Sequence, residues 1–247
     1  MKYNYQLLIE YDGTKFVGWQ FQKNGISVQE SIEKALKKLI KKKVKLIGSG
    51  RTDAGVHALE QSANFITDYI IKDKISFLNS LNFFLYKDTI SILDLKLKKN
   101  SFHSRYSAKK RIYKYLIINR NAPSVLKKKR AWHVRKKLDI SDIKKGAEAL
   151  KKIKDFSTFR ASSCSAKSSI RTLSKITIIK KNSIIEISFT SQSFLQNQVR
   201  SMVGCLKYLA EKKWNFKKFR QVITSKKRSN CAPPAPAHGL YLAKIKY

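Results

Sequence analysis

Alternating apolar and polar residues open the chain and predict a strand that ends at a turn. Apolar side chains occupy every second position from residue 3 to residue 11: Tyr3, Tyr5, Leu7, Ile9 and Tyr11. This period of two is typical of a half-buried strand, and Asp12-Gly13 favours a turn directly after it. A helical period then predicts an amphipathic helix over 28–40, with Ser27 as N-cap and Glu30 as capping-box partner.

Similar patterns predict the remaining elements. The predicted strands are 44–48, 61–66, 89–97, 112–119, 173–181, 184–190 and 238–247, and the further predicted helices are 75–85, 141–153 and 195–209. A turn at Lys181-Asn182-Ser183 joins two of these strands into a hairpin. The element order starts again near residues 100–110, which indicates two halves without a detectable residue-level repeat. Residues 232–237, Ala-Pro-Pro-Ala-Pro-Ala, are expected to form a rigid surface connector, because proline fits neither a helix interior nor a central strand.

Composition indicates a folded protein of the cytoplasm. Hydrophobic residues make up 43% of the 247 residues, enough to build a core. No window approaches the ~18 uncharged apolar residues of a membrane span, and the N-terminus lacks an apolar signal core. The three cysteines fit neither a disulfide framework nor a zinc site, because they lack a CxxC pair and an adjacent histidine. We therefore expect a cytoplasmic location, no membrane partner and no metal.

A large positive charge favours a polyanionic partner. Lys and Arg number 53 against 16 Asp and Glu, which gives a net charge of +37. Nucleic acid is the expected partner. Lysine far outnumbers arginine, as codon bias in an AT-rich genome would produce, so the runs 41–43 and 127–130 are interpreted as solvated faces. The basic residues are spread over the whole chain, which disfavours binding to a membrane surface through one amphipathic helix.

The segment from Gly48 to Ala58 concentrates the candidate chemistry. It places three glycines, Arg51 and Asp53 between two predicted strands. One interpretation is an ordinary connection in which Asp53 closes an Asx-turn and Arg51 lies in solvent. The other is functional: aspartate is ionised at neutral pH, and a nearby arginine keeps it so. Such a carboxylate serves as a nucleophile or an electrostatic anchor. Because it is a lone carboxylate, it argues against ordinary glycoside hydrolysis, which usually uses two carboxylates.

Several motifs in order connect the chain to a known family. They are Tyr11-Asp12-Gly13-Thr14 with Gly18-Trp19-Gln20, Gly50 to Ala58, Phe102 to Ala108, Arg111-Ile112-Tyr113-Lys114-Tyr115, Asp155-Phe156, Phe194-Leu195 with Val199-Arg200, and Ala235 to Leu242. With these motifs, the chain resembles the tRNA pseudouridine synthase A family nearly from end to end. It departs from the family pattern at Gln198, where the family has methionine.

The resemblance implies a cofactor-free isomerase that converts uridine to pseudouridine at positions 38, 39 and 40 of the tRNA anticodon arm. Asp53 would be its nucleophile. Attack at C1′, abstraction of the 2′ proton and addition to C6 all remain open. A stacked base is unreachable in a stem, so the nucleotide must be extruded. By resemblance, Arg51 helps to flip or replace the base and pairs with Asp53, a task suited to a planar, always charged guanidinium.

Two further residues would contact the substrate according to the resemblance. Tyr113 matches the family tyrosine that stacks on the target uracil, whereas composition alone favours an aromatic residue facing the core. Arg200 matches the arginine of a Val-Arg pair and would be another partner of the Asp53 carboxylate. Its alternative is an exposed helical arginine. His57 lies near Asp53, but the chemistry does not require an imidazole.

The resemblance also implies tRNA contacts, a fold and an assembly. The expected tRNA-binding residues are Phe102, His103, Ser104, Arg105, Tyr106, Arg160, Ala161, Ser162, Ser163 and Cys164. Phosphate contacts of this kind make affinity salt-dependent. The expected fold is α+β: two split-βαβ (ferredoxin-like) halves, 1–105 and 106–247, form one extended, mainly antiparallel sheet with helices on one face and the active-site cleft between the halves. The expected assembly is a homodimer.

Two other function classes compete with this interpretation. A non-catalytic RNA-binding protein explains the charge but leaves residues 50–58 without a role. A nucleic-acid hydrolase or glycosylase would use Asp53, but phosphodiester hydrolases usually need clustered carboxylates for metal ions, and these are missing from the sequence. The products distinguish the three classes, because a glycosylase releases uracil and a synthase changes neither mass nor strand integrity.

Overall fold

The computed structural model describes residues 1–247 and has a mixed α+β fold. The strands are Tyr3–Tyr11 (β1), Ile47–Gly48 (β2), His57–Thr67 (β3), Ile90–Lys98 (β4), Lys110–Asn119 (β5), Trp132–Val134 (β6), Leu173–Lys181 (β7), Ile184–Ser191 (β8) and Leu240–Lys246 (β9). The helices are Val28–Ile40 (α1), Lys74–Leu85 (α2), Ile140–Lys152 (α3), Gln198–Ala210 (α4) and Phe216–Thr224 (α5). Strand pairing is mainly antiparallel, which confirms the predicted fold class. None of the helices has the length and apolar character needed to span a membrane.

The chain divides into two compact units, Met1–Lys109 with Tyr241–Tyr247 and Lys110–Leu240. The final strand β9 belongs with the first unit because it pairs in parallel with β3, at His57↔Tyr241 and Ala58↔Leu242. The sequence instead places this strand in a second half that runs from 106 to 247, since local patterns carry no information on its distant partner.

In the first unit, β1 lies between β3 and β4 and is antiparallel to both. The short strand β2 pairs with β3. Helix α1 packs against α2, and α2 packs against β4. Fully buried side chains of β1 and α1, including Leu7, Ile9, Ile32 and Leu36, form the core of this unit.

Two polar residues of β1, Asn4 and Gln6, are buried, whereas Glu10 is exposed as the alternation predicts for a half-buried strand. Asn4 is 1% exposed and Gln6 is 4% exposed. Gln6 Nε2 donates to Ser62 Oγ over 2.8 Å, and Asn4 Nδ2 donates to the Phe102 carbonyl over 2.8 Å. Tyr247 also joins this polar network, because its hydroxyl donates to Ser62 Oγ over 2.7 Å. Buried polar groups need such partners, and here they come from residues far along the chain.

In the second unit, β8 lies between β5 and β7 and is antiparallel to both. Strand β6 runs parallel to β5. Helix α3 packs against β7, α4 and α5, and it buries Ile143, Ala147 and Leu150. The predicted hairpin between β7 and β8 is confirmed, and Asn182 at its turn adopts φ 53.

Most predicted elements are present with small changes of boundary. Helix α1 begins after Ser27, whose hydroxyl oxygen accepts a hydrogen bond from the Glu30 amide, as predicted. The predicted strand 44–48 shortens to the two residues of β2, because the Leu46 amide donates to the Glu33 side chain instead of a neighbouring strand. Strand β6 and helix α5 are additional to the predicted elements.

The prediction of a surface connector at residues 232–237 holds for Pro233, which is exposed, but two alanines of the segment are buried. Ala232 is 2% exposed and Ala235 is 1% exposed. This proline-rich segment lies on α4, where the Ala235 amide donates to the Arg200 carbonyl over 2.9 Å. Gly204 permits the close approach, since a Cβ at this position would overlap the Pro233 carbonyl oxygen. Proline rules out helix and central strand, but it does not decide whether a segment is exposed.

We predict that Gly204→Ala destabilises the protein by about 2–3 kcal/mol, because the new methyl group meets backbone that cannot rotate away. Gly146→Ala is the matched control, since it also lies within a helix and its Cβ would meet side-chain ends of Leu206, Leu209 and Phe219 instead of backbone. Its overlap is offset by the ~1 kcal/mol gain in helix propensity, so the net change should stay within about 1 kcal/mol. Urea unfolding of both variants measures the difference, and equal destabilisation would contradict the prediction.

Candidate active site

Asp53 lies in the loop that joins β2 to β3, residues 49–56, which we call the Asp53 loop. Its first residues are tied to β3. The Ser49 amide donates to the Ser62 carbonyl over 2.8 Å, and the Ser49 hydroxyl donates to Gln61 Oε1 over 2.6 Å. Gln61 Nε2 donates in turn to the Gly50 carbonyl over 2.9 Å. The loop therefore begins from a fully hydrogen-bonded position inside the first unit.

The segment that follows β1, residues 12–19, lies against the middle of the Asp53 loop. We call it the glycine segment. The Trp19 amide donates to the Thr52 carbonyl over 3.1 Å, and Gly18 forms an antiparallel bridge with Asp53. Gly18 has φ 117, and a Cβ there would lie 2.6 Å from the Thr52 carbonyl oxygen. Only glycine tolerates this combination of backbone angle and contact.

The hydroxyls of Tyr11 and Thr52 give the loop a side-chain anchor. Their oxygens are 2.8 Å apart and buried. Thr52 is 7% exposed, whereas the neighbouring Asp53 is partly exposed and Arg51 is exposed. The loop thus buries Thr52 and leaves Asp53 partly exposed. A carboxylate held on a hydrogen-bonded frame is suited to a nucleophilic or anchoring role.

His57 holds the end of the Asp53 loop. Its Nδ1 accepts a hydrogen bond from the Gly13 amide over 3.0 Å, and its ring stacks on Tyr241 with centroids 4.8 Å apart. Asp12 Oδ1 also lies 3.0 Å from Nδ1. The Nδ1 atom thus contacts both the Gly13 amide, which donates to it, and the Asp12 carboxylate. His57 is 2% exposed, and these contacts make it a positioning residue that the sequence did not reveal.

Tyr113 lies on β5 in the second unit, where it pairs with Phe189 of β8. It is 8% exposed. Its ring meets Phe194 edge to face, with centroids 5.1 Å apart and an interplanar angle of 84°. This contact restricts the rotation of the tyrosine ring.

Arg200 lies in the first half of α4 and is partly exposed. Its Nε donates to the Ala235 carbonyl over 2.7 Å, and its Nη1 donates to Asn197 Oδ1 over 3.0 Å. The proline-rich segment therefore orients the guanidinium.

The same segment contacts Tyr115. The Tyr115 hydroxyl donates to the Pro236 carbonyl over 2.8 Å, and burial raises the pKa of Tyr115 well above its usual range. Burial likewise lowers the pKa of His238.

The residues 102–106 divide into exposed and buried positions. Tyr106 is 75% exposed, its ring lies 4.4 Å from that of His103, and the Arg105 guanidinium lies over it at 5.5 Å. Phe102 packs against Tyr247. Ser104 is fully buried, and its amide donates to Asn64 Oδ1 over 2.9 Å. Ser104 therefore anchors this segment, and Arg105 and Tyr106 present its accessible surface.

Residues 160–164 form a loop that the Arg160 side chain closes by hydrogen bonds. Arg160 Nη2 donates to the carbonyls of Cys164 and Ala166 over 2.8 Å and 2.7 Å. Ala161 and Cys164 are buried, whereas Ser162 and Ser163 are exposed. Just before this loop, hydrogen bonds from the hydroxyl and amide of Ser157 lower the pKa of Asp155 to about 2. The carboxylate thus stays ionised and holds the turn.

No group of three or more His, Cys, Asp and Glu side chains in the chain is arranged to hold a metal ion. A family model described as tRNA pseudouridine synthase matches residues 7–106 and 153–247. The chain belongs to the tRNA pseudouridine synthase family. It is therefore an isomerase that acts on tRNA, and the non-catalytic and hydrolytic interpretations of its sequence are set aside.

Curated members of this family match the whole chain. The tRNA pseudouridine synthase A of Pelagibacter ubique (strain HTCC1062) is 58% identical over 245 residues, covering 99% of this chain and 100% of its own. The enzymes of the same name from Anaplasma marginale (strain Florida) and Thermoanaerobacter sp. (strain X514) are each 42% identical and cover at least 98% of this chain and 99% of their own. The family model includes the Asp53 loop and Arg200, while Tyr113 falls in the part matched by the relatives alone.

We predict that Gly18→Ala lowers the pseudouridylation rate about 100-fold, because the loop must move by tenths of an ångström or more to admit the methyl group. Gly25→Ala is the control, since its Cβ would meet the Val17 side chain rather than the Asp53 loop. Tritium release from tRNA labelled at C5 of uridine measures the rate, and circular dichroism checks that both variants fold. A Gly18→Ala enzyme with full activity would show that the glycine segment does not position the loop.

Proposed function

We propose that this enzyme converts uridine to pseudouridine at positions 38, 39 and 40 of the tRNA anticodon arm, with Asp53 as nucleophile and without a cofactor. The observation that carries the proposal is the Asp53 loop. Backbone and hydroxyl hydrogen bonds hold both sides of this loop, and the carboxylate at its centre is partly exposed. The surrounding residues, Gly50 to Ala58, carry the strongest resemblance to the family.

The reaction places specific demands on this carboxylate. The N-glycosidic bond of uridine breaks, the uracil turns, and a C5–C1′ bond forms while the C5 proton leaves. The product has the same atoms as the substrate, so no oxidant or second substrate is needed. An ionised carboxylate can attack C1′, abstract the 2′ proton or add to C6, and each route requires it to be in place before the base arrives. The hydrogen-bonded frame of the Asp53 loop meets that requirement.

The other site residues have roles that follow from their chemistry. Arg51 is exposed, and its planar guanidinium can occupy the space that an extruded base leaves in the stem. Tyr113 stacks on the uracil, and its contact with Phe194 keeps the ring in one orientation. By its resemblance to the family, Arg200 is assigned as a partner of the ionised Asp53 carboxylate, and the Ala235 carbonyl orients its guanidinium.

Binding of tRNA extends beyond the reacting nucleotide. We assign direct contacts to the accessible residues Arg105, Tyr106, Ser162 and Ser163, together with the partly exposed Phe102, His103 and Arg160. The buried residues Ser104, Ala161 and Cys164 support the two loops from within. The net charge of +37 fits long contact with a polyanion. We further propose that the enzyme works in the cytoplasm as a homodimer.

We predict that Asp53→Asn lowers turnover at least about 1,000-fold while tRNA affinity changes only several-fold, because the amide keeps the shape but cannot act as a nucleophile. Asp68→Asn is the matched control, since Asp68 is exposed and pairs with Lys42. Tritium release is measured with transcripts whose only anticodon-arm uridine is at position 38, 39 or 40, and filter binding measures affinity.

Two outcomes would contradict this assignment. Equal losses of binding and activity would make Asp53 structural, and free uracil among the products would indicate a glycosylase. Release of tritium from transcripts that lack all three uridines would instead reject the proposed target positions.

We predict that Tyr106→Ala weakens tRNA binding by about 5-fold to 100-fold, because loss of one base-stacking platform costs about 1–3 kcal/mol. Tyr86→Ala is the control, since Tyr86 is 82% exposed and lies outside the predicted contacts. Filter binding at several salt concentrations measures the effect. A stacking contact leaves the salt slope unchanged, so a changed slope or equal effects of the two substitutions would reject this role.

A further inference from the structure

Two of the three cysteines lie next to each other in the second unit. The Sγ atoms of Cys205 and Cys231 are 3.5 Å apart, although 26 positions separate the residues in sequence. Cys205 lies within α4 and is fully buried, whereas Cys231 is partly exposed and directly precedes the proline-rich segment. Cys164 lies in the separate loop closed by Arg160. The sequence predicts buried or idle thiols, because the spacing of the three cysteines shows no motif.

The surroundings make the two thiols chemically different. The Arg228 guanidinium lies near Cys231, and its Nη1 donates to Ser201 Oγ over 3.0 Å. A hydrogen bond from Cys205 lowers the pKa of Cys231; burial opposes this shift, and the charge of Arg228 supports it. The same hydrogen bond and burial raise the pKa of Cys205. The accessible sulfur is thus the better nucleophile, and the buried one holds a proton.

We propose that Cys205 and Cys231 form a reversible oxidation site at which a hydroperoxide converts the thiol pair to a disulfide. The Cys231 thiolate attacks a peroxide oxygen, the O–O bond breaks, and a sulfenic acid and an alcohol or water result. The Cys205 sulfur then attacks the sulfenic sulfur, the S–O bond breaks, and water leaves with the remaining protons. The two thiols lose two electrons and the peroxide gains them. A small dithiol reverses the reaction by exchange.

Bond formation needs a movement at one of the two cysteines. The two sulfurs must approach from 3.5 Å to about 2.05 Å. Cys205 is held in a packed helix, so the shift falls on Cys231, which lies between a short helical turn at Arg228–Asn230 and the proline-rich segment. The disulfide then joins this segment covalently to α4, beside the Ala235 carbonyl that orients Arg200. The disulfide is thus a reversible covalent link between α4 and the segment whose Ala235 carbonyl binds Arg200.

The test treats the reduced full-length protein with hydrogen peroxide and follows intact mass, peptide maps and thermal melting. We expect the loss of two hydrogen masses, one Cys205–Cys231 peptide, and restoration by dithiothreitol. The closed loop should raise the melting midpoint by roughly 5–10 °C. Cys164→Ser should behave as the parent, while Cys231→Ser and Cys205→Ala should show neither the mass loss nor the rise.

Other outcomes would overturn the proposal. These are stable addition of oxygen to Cys231 without a disulfide, a disulfide that involves Cys164 or a second chain, or a lowered melting midpoint in the oxidised protein. The readouts are mass and melting, so they remain decisive whatever the role of Asp53. Both single-cysteine variants are compared with the parent in the reduced state to confirm folding.

Discussion

Close contact between two stretches of backbone determines the geometry of the Asp53 loop. Gly13 and Gly18 bring the glycine segment so near to Val56 and Thr52 that neither position has space for a Cβ. The hydrogen bonds of Trp19 and His57 form across this contact. Asp53 can be held in one place because the loop around it is anchored largely through backbone, which has little freedom to rearrange.

The second unit solves a similar problem at Arg200. A long arginine side chain has many rotamers, and fixing one of them costs conformational entropy. Here the Ala235 carbonyl and Asn197 fix the guanidinium, and Gly204 allows the proline-rich segment to lie close enough to supply that carbonyl. Proline is useful in this segment because it limits the conformations of the unfolded chain. In each unit, a glycine in contact with backbone thus supports a functional side chain.

Binding of tRNA and positioning of the Asp53 loop depend on different physical interactions in this enzyme. The net charge of +37 attracts tRNA through interactions that salt screens. The anchors of the Asp53 loop are mostly neutral hydrogen bonds among buried groups, such as Tyr11 with Thr52 and Ser49 with Gln61. Buried neutral hydrogen bonds respond little to ionic strength. Salt that releases tRNA therefore leaves the geometry of the loop intact.

The sequence alone determined the elements whose signals are local. Alternation identified β1, a helical period with Ser27 identified α1, and turn residues identified the hairpin of β7 and β8. Motifs identified the family and the Asp53 loop as the place of its chemistry. These features depend on residues within a few positions of each other, so a single stretch of chain contains the whole signal.

Only the tertiary structure decided the features that need distant partners. It paired β9 with β3, buried Asn4 and Gln6 under a polar network, and made His57 a partner of Gly13. It also placed residues 232–237 against α4 and brought Cys205 to Cys231. The reason is physical: a polar or proline-rich stretch reads as exposed until another part of the chain supplies the hydrogen bonds and contacts that allow its burial.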